Sequence, residues 1–445
     1  MSSEWPTVRL GDHIESCLGK MLDAKKNKGA YQPYLGNSNV RWGAFDLTNL
    51  AEMKFEANEE ARYSLEPGDL VVCEGGEPGR CAIWTGKKGM KIQKALHRIR
   101  PKKTLNNYYL FYWFVYSSKL GLLEPYFTGT TIKHLTGKAI SALELRLPPI
   151  STQVAVVAVL KLLDDRITLL HETNKVLESI AQTIFKSWFV DFDPVRAKME
   201  GRQPEGMDEE TAASFPDSFE ESELGLIPKG WKVTELKNIC QTTIGGAWGK
   251  DTKEDEQLVP VVSLRGVDLE NLRNFGYAQA APIRWFKPNA LEKRRLSENE
   301  VLIASSGAGP CGRPLWASLA FEEIYKAPVV FSNFVKRLDC GSPWRAIFID
   351  RVLHNMRNTG EIWNYINGTS IPNLDDGLLL STKKICLPNE QSLRAYESVS
   401  RAIYEKLYSP YAQQLAIARN SLLPRLLSGQ LRLPEAQEQV ESALP

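Results

Sequence analysis

The chain has 445 residues, of which 43% are hydrophobic and 24% are charged, and it carries 55 basic and 53 acidic side chains. This composition is typical of a folded globular protein and excludes collagen-like, disulfide-scaffold and wholly disordered classes. The length predicts two or three domains.

No apolar run is long enough to cross a membrane. The longest, from Val154 to Leu160, is far shorter than the roughly 20 residues that a spanning helix needs. The N-terminus lacks the layout of a signal peptide, and the seven cysteines include no CxxC pair, as expected for reduced thiols. We therefore expect a cytoplasmic location.

Residues 1–150 form the first predicted domain, with short β-branched runs between Gly and Pro turns, which indicates a mixed α+β fold. The 17 residues from Lys87 to Lys103 hold eight basic side chains and no acid. Such a segment attracts phosphates, although a solvated basic hairpin without function remains the alternative. The candidate phosphate-binding residues are Lys87, Lys88, Lys91, Lys94, Arg98, Arg100, Lys102 and Lys103.

Residues 151–192 are predicted to form the first of two long helices, because residues 151–190 contain neither Gly nor Pro. Their apolar positions alternate at spacings of four and three, the pattern of a coiled-coil seam. The only polar residue in it is Asn174, a type of residue that commonly fixes register. An amphipathic helix lying on a domain core is the alternative. The seam consists of Val156, Leu160, Leu163, Ile167, Leu170, Asn174, Leu177, Ala181, Ile184 and Trp188.

The second half of the chain follows the same plan. We expect an acidic linker over 193–226, a second domain over 227–390, a second spacer helix over 391–430 and a frayed tail over 431–445. Pro410 should bend or interrupt the second helix, because proline cannot continue a helical hydrogen-bond ladder. The second domain has fewer basic candidates for phosphate binding: Arg284, Lys287, Arg294, Arg295 and Arg313.

The two domains are copies of one unit. Trp5–Leu10 resembles Trp231–Leu236, the segment 65–72 resembles 296–303, and 128–132 resembles 367–371. The offset between matching segments grows only slowly along the chain, from 226 to 239 residues. A constant order with a drifting offset indicates a duplicated domain with small loop insertions.

Small hydroxyl residues follow a glycine at equivalent turns of both copies. They can present hydroxyl and N–H groups to phosphates or base edges, or they can cap the helix that follows, and the sequence leaves both open. The candidates are Thr130, Thr131 and Lys133 in the first copy and Thr369 and Ser370 in the second.

Motifs for catalysis are missing. Residues 307–312 satisfy GxGxxG, but Pro310 and Pro314 oppose the helix that a dinucleotide site requires. The five histidines lie too far apart along the chain for zinc-ligand spacing, and no phosphate-binding loop of the GxxxxGK[ST] type occurs. We expect a protein that is not an enzyme and that binds neither metal nor cofactor.

The block Phe185–Lys198 (FKSWFVDFDPVRAK), the re-entry Ile227–Trp231 (IPKGW) and the ending Leu422–Leu431 (LLPRLLSGQL) resemble the DNA specificity subunits of type I restriction-modification systems. The resemblance covers essentially the whole chain.

The resemblance implies two α+β target-recognition domains, each reading half of a bipartite, asymmetric DNA target, joined by two long antiparallel coiled-coil helices. It also implies two docked methyltransferase subunits that bind S-adenosylmethionine, together with restriction subunits. A coiled-coil scaffold with protein- or glycan-binding domains and no DNA binding is the alternative function.

Overall fold

The computed structural model describes residues 5–21, 23, 27–431 and 433–443. It divides into two compact units: Met1–Asp165 with Leu415–Pro445, and Arg166–Gln414. Each unit mixes helices with small sheets, which confirms the predicted α+β class.

The first unit contains the strands and helices of the first domain and the beginning of a long helix. The strands are β1 (Thr7–Arg9), β2 (Ile14–Leu18), β3 (Ala30–Leu35), β4 (Val40–Arg41), β5 (Ala44–Phe45), β6 (Ala51–Phe55), β7 (Leu70–Cys73), β8 (Cys81–Ile83), β9 (Lys91–Ile92), β10 (Leu96–Pro101) and β11 (Glu144–Arg146). The helices are α1 (Glu60–Tyr63), α2 (Asn107–Lys119), α3 (Gly137–Ala142) and α4 (Ile150–Phe189), the last of which continues into the second unit.

The second unit contains the corresponding set. Its strands are β12 (Phe219–Ser222), β13 (Gly225–Pro228), β14 (Lys232–Glu235), β15 (Gln241–Gly245), β16 (Val259–Leu264), β17 (Ile283–Phe286), β18 (Glu300–Ala304), β19 (Pro314–Trp316), β20 (Val329–Phe331), β21 (Val335–Asp339), β22 (Ile366–Asn367), β23 (Asn373–Leu374) and β24 (Lys384–Leu387). Its helices are α5 (Asp193–Met199), α6 (Glu209–Ala213), α7 (Gly266–Phe275), α8 (Pro288–Glu292), α9 (Ala320–Tyr325), α10 (Pro343–Thr359), α11 (Asp376–Thr382) and α12 (Glu390–Leu407).

The sheets repeat in the same order in both units. The antiparallel sheet β2-β10-β7-β8 corresponds to β15-β21-β18-β19, and β1-β11 corresponds to β14-β24. The sheet β6-β3-β9, with one antiparallel and one parallel pair, corresponds to β17-β16-β20. The central strands β7 and β18 are buried at every residue, so each sheet forms part of a hydrophobic core. This topology confirms the duplication.

In the second unit, α4 and α12 pack antiparallel. Phe189 and Trp188, at the end of α4, contact Tyr396, near the start of α12, with ring centroids 5.0 and 5.7 Å apart. Asn174, earlier in α4, contacts Leu407 at the end of α12. The side-chain amide of Asn174 donates to the Leu407 carbonyl at 3.4 Å, where α12 ends. Asn174 thus has a defined partner, a carbonyl that the helix itself leaves unpaired.

The predicted seam is buried or half-buried along its length. Seven of its members are buried: Val156, Leu160, Leu163, Ile167, Asn174, Ala181 and Trp188. Leu170, Leu177 and Ile184 are half-buried.

The second long helix is interrupted as Pro410 predicts. After α12 ends at Leu407, α13 (Tyr411–Leu427) begins, and its residues from Leu415 onward belong to the first unit. There Arg419 of α13 pairs with Asp164 of α4 at 2.6 Å. The expected frayed tail is instead helical, forming α14 (Leu433–Ala443).

The expected acidic linker is also folded. Phe215 lies 5.1 Å from Trp188 and 6.2 Å from Trp231, so an aromatic cluster holds this stretch against α4. Pro194 and Val195 of α5 are buried as well. The apolar side chains that hold this stretch are few and lie within a polar segment, so composition alone indicated a linker.

Candidate nucleic-acid interface

Two basic residues of the segment Lys87–Lys103 are buried and serve the fold. Lys91, on β9, is 1% exposed and pairs with Glu60 and the Ser64 hydroxyl. Arg98, on β10, is 8% exposed, and its guanidinium donates to the carbonyls of Ala61 and Ser64, both at 3.0 Å. The expectation that Lys91 and Arg98 contact DNA is therefore wrong.

Other members of the segment have partners from residues 66–74. The guanidinium of Arg100 donates to Asp69 at 2.7 and 3.1 Å, and the side chain of Lys88 meets Glu66 at 2.6 Å. His97 is buried 3.2 Å from Glu74, and burial lowers the pKa of its imidazole although Glu74 opposes the shift. The compensating carboxylates lie 22–31 residues earlier in the sequence, so the segment by itself does not reveal them.

Three lysines of the segment remain available. Lys87, Lys94 and Lys103 are exposed, and none of them has a carboxylate within 4 Å in the part of the chain that the structure describes. Lys102 is exposed too, and its ammonium donates to the Asp12 carbonyl at 3.0 Å. The first unit therefore offers a smaller exposed basic surface than the sequence predicts.

Most basic candidates of the second unit are also paired. Arg284 pairs with Asp251 and lies 4.5 Å from the Trp248 ring, and Arg313 pairs with Glu270. The remaining arginines follow the same rule: Arg295 meets Glu322 at 3.0 Å, and Arg294 donates to the Gly245 carbonyl at 3.2 Å. Lys287 is exposed.

The hydroxyl turns form matching loops. In the first unit, Thr128 and His134 exchange two backbone hydrogen bonds, at 2.9 and 2.8 Å, and close the loop 128–134. In the second unit, Asn367 pairs with Asn373 and closes the loop 367–373. We call these two segments the paired loops. Each contains seven residues, no acidic side chain and a glycine at its second position.

Each of the paired loops lies beside a Gly-rich turn of its own unit, residues 74–79 in the first and 306–310 in the second. In the first unit, the Leu135 N–H donates to the Glu74 carbonyl at 2.7 Å, and Gly75 sits against the His134 ring. In the second, the Gly307 N–H donates to the Pro372 carbonyl at 3.1 Å. In both units, therefore, the paired loop and the Gly-rich turn lie side by side.

The hydroxyls of the paired loops do not cap the following helices. Thr136 caps α3 by accepting from the Ala139 N–H at 3.3 Å, and Asp375 caps α11 by accepting from the Leu378 N–H at 2.8 Å. Capping is therefore wrong for all four hydroxyl candidates. Thr130, Thr131, Lys133, Thr369 and Ser370 are exposed.

A buried ionic cluster in the second unit was not predicted. Glu178 of α4 accepts from Arg351 at 3.0 Å and from Arg273 at 3.2 Å, and Arg273 also pairs with Asp350. Burial raises the pKa of Glu178, but the charges of Arg351 and Arg273 outweigh it and hold the value at about 2.

The same cluster keeps a neighbouring histidine neutral. Burial and the charge of Arg273 lower the pKa of His354 to about 3, although Glu178 lies 3.5 Å away. Glu178 follows the seam residue Leu177 in the sequence, which does not distinguish it from an exposed glutamate. Its partners Arg273 and Arg351 are far away in the sequence and are brought to it only by the fold. The cluster holds the helix to the domain rather than facing solvent.

Among the described residues, no helix is long and apolar enough to cross a membrane, and no group of three or more His, Cys, Asp or Glu side chains could hold a metal ion.

Residues 2–179 match the type I restriction modification DNA specificity domain. Over 389 residues, the chain is 24% identical to the type I restriction enzyme MjaIX specificity subunit of Methanocaldococcus jannaschii, covering 85% of this chain and 82% of that one. Over most of its length, the chain is thus similar to DNA specificity subunits of type I restriction-modification systems.

Two further comparisons show the same similarity. The MjaVIII specificity subunit of the same organism is 23% identical over 445 residues, covering 97% of this chain and 93% of that one. The crystal structure of a type I restriction-modification S subunit from M. genitalium matches with a TM-score of 0.51 at 14% identity, covering 95% of this chain and 96% of that one. The specificity-subunit fold thus extends over both units.

Proposed function

We propose that the chain is the non-catalytic DNA-recognition subunit of a type I restriction-modification complex in the cytoplasm, and that it reads a bipartite, asymmetric target. One observation carries the proposal: the two units share sheet order and loop geometry, yet they differ in the residues that they present. Equivalent frameworks with unlike side chains suit two unlike half-sites.

The surface chemistry supports binding to phosphates. The exposed lysines Lys87, Lys94 and Lys103 lack carboxylate partners within the described residues, and the paired loops carry hydroxyls without acids. Contacts of this kind position a protein on duplex DNA, while a few side chains on loops distinguish the bases. The same contacts make affinity strongly dependent on salt.

The long helices suit assembly with other subunits. Leu169, Val176 and Ile180 form an exposed apolar stripe on α4, at spacings of seven and four residues. Such a stripe fits the helices of a partner protein. We propose that it receives a methyltransferase subunit, which would supply S-adenosylmethionine, that restriction subunits join the same complex, and that the helix pair sets the half-site spacing.

The test of DNA binding measures the affinity of the full chain for duplex DNA at increasing salt. We expect the logarithm of the association constant to fall linearly with the logarithm of the salt concentration. Changing Lys87, Lys94 and Lys103 to Glu should weaken binding to every duplex. The slope should fall by about one for each phosphate that the variant no longer neutralises.

The control makes the same change of charge elsewhere, at the exposed Lys175, Lys229 and Lys406. Equal losses of affinity in both triple variants would mean that only net charge matters. Affinity that is independent of salt would contradict the proposal and favour the protein- or glycan-binding scaffold.

A further inference from the structure

Two isoleucines occupy the same position of the paired loops and point into solvent. Ile132 is 64% exposed and Ile371 is 65% exposed. Each is the fifth residue of its loop, counting from Thr128 and from Asn367. Single exposed apolar residues are common on protein surfaces, but recurrence at one position of a duplicated loop is not expected from chance exposure.

The backbone of each loop holds its isoleucine outward. Gly129 has φ +92° and Gly368 has φ +90°, a region that favours glycine. A Cβ on Gly129 would lie 2.3 Å from the Ile132 carbonyl oxygen, and one on Gly368 would lie 2.7 Å from that of Ile371. The glycine lets the backbone fold back onto the isoleucine in both loops. Since the loop ends are also paired, the exposure is a property of a defined turn.

The neighbouring side chains fit a polyanion. Thr130, Thr131 and Lys133 surround Ile132 in sequence, and Thr369 and Ser370 precede Ile371. Neither loop contains a carboxylate that would repel phosphates. Proteins that read DNA place apolar side chains against thymine methyl groups or between base steps, with polar neighbours on the backbone.

We infer that Ile132 and Ile371 are the apolar base-contacting residues of the two half-sites, one for each. The inference rests on the proposed function and adds to it the position in each unit from which the bases are touched. The loops, rather than the basic strands β9 and β10, then carry base recognition, because Lys91 on β9 and Arg98 on β10 are buried.

The experiment begins with the full chain and a randomised duplex library, from which the wild-type protein selects its target. Affinities for the recovered duplex and for an unrelated duplex are then measured for Ile132→Ala and Ile371→Ala. We expect each variant to lose about tenfold in affinity for the recovered duplex, which corresponds to about 1.4 kcal/mol. Affinity for the unrelated duplex should not change.

Two controls separate this effect from a general loss of surface area or of folding. Leu226→Ala removes an apolar side chain that is 59% exposed on the hairpin β12–β13, and it should bind like wild type. Ile132→Val keeps a branched apolar side chain and should restore most of the affinity. A selection repeated with Ile132→Ala should relax bases in one half-site only.

Three results would overturn the inference. Both alanine variants could bind the recovered duplex like wild type, or they could weaken binding to both duplexes equally. They could also keep DNA affinity and lose co-purification with a methyltransferase subunit, which would assign the paired loops to a protein interface. If the wild-type chain selects no duplex at all, the proposed function fails and the inference fails with it.

Discussion

Each unit contacts α4 through a side chain at the same position of an equivalent helix, but the interacting groups differ. Tyr112 of α2 and Arg351 of α10 are 239 residues apart, the same offset that separates Gly121 from Gly360, the positive-φ glycines just after these helices. In the first unit, the Tyr112 hydroxyl donates to Asp164 at 2.7 Å. In the second, Arg351 donates to Glu178 at 3.0 Å and is completely buried.

The comparison shows that duplication preserved a docking position and not its electrostatics. We call these two contacts to α4 the anchors. In the first unit, the anchor is the neutral hydroxyl of Tyr112, which donates to Asp164, a carboxylate that remains 28% exposed and also pairs with Arg419. The anchor of the second unit brings two arginines and two carboxylates out of water together. Removing one member of a buried ionic group costs far more than removing one hydrogen bond, since it leaves a charge without compensation.

The largest expected effect is therefore in the second unit. Glu178→Gln leaves Arg351 and Arg273 with one carboxylate fewer, and we expect the free energy of unfolding to fall by about 3–5 kcal/mol. Urea denaturation of the full chain, followed by the fluorescence of its tryptophans, measures the change. Glu172→Gln, at an exposed position of the same helix, is the matched control and should have almost no effect.

The effect of acid follows from the same group. The folded-state pKa of Glu178 is about 2, below its ordinary value near 4.5, so its contribution to stability is complete above about pH 4.5 and is lost as the pH falls toward 2. The difference in unfolding free energy between wild type and Glu178→Gln should shrink over this range. A difference that stays constant from about pH 6 to about pH 3 would mean that Glu178 does not titrate as the cluster requires.

The smallest effect is expected in the first unit. Tyr112→Phe removes one hydrogen bond to Asp164, which keeps its pairing with Arg419, so we expect a loss of about 1 kcal/mol in the free energy of unfolding. Tyr31→Phe, at a side chain that is 64% exposed, serves as the control. If Tyr112→Phe and Glu178→Gln destabilised the protein equally, the contrast between the two anchors would be wrong.

Periodic and local features could be predicted from the sequence. The heptad spacing located the seam from Val156 to Trp188, with Asn174 within it, because a helix places residues three and four apart on one face. The helix itself ends at Phe189, three residues before the predicted end at 192. The interruption at Pro410 follows from the chemistry of a single residue. The duplication was visible because the matching segments keep their order.

Pairings between distant residues could not be predicted. The carboxylates that neutralise Lys91 and Arg100 belong to Glu60 and Asp69, each 31 residues earlier in the sequence. Buried lysines and arginines look the same in sequence as exposed ones, so composition overstated the basic surface. The folded stretch around Phe215 was not predicted either, since isolated apolar residues in an acidic segment show no periodicity.

The most direct test of the central claim, that each unit reads its own half-site, exchanges residues 1–150 for the matching domain of another specificity subunit. The chimera and the wild-type chain are each produced with a methyltransferase subunit, and methylated adenines are mapped in the host genome. We predict a bipartite, non-palindromic motif in which the exchange alters one half and leaves the other half and the spacing unchanged. A motif altered in both halves, or not altered at all, would contradict the account.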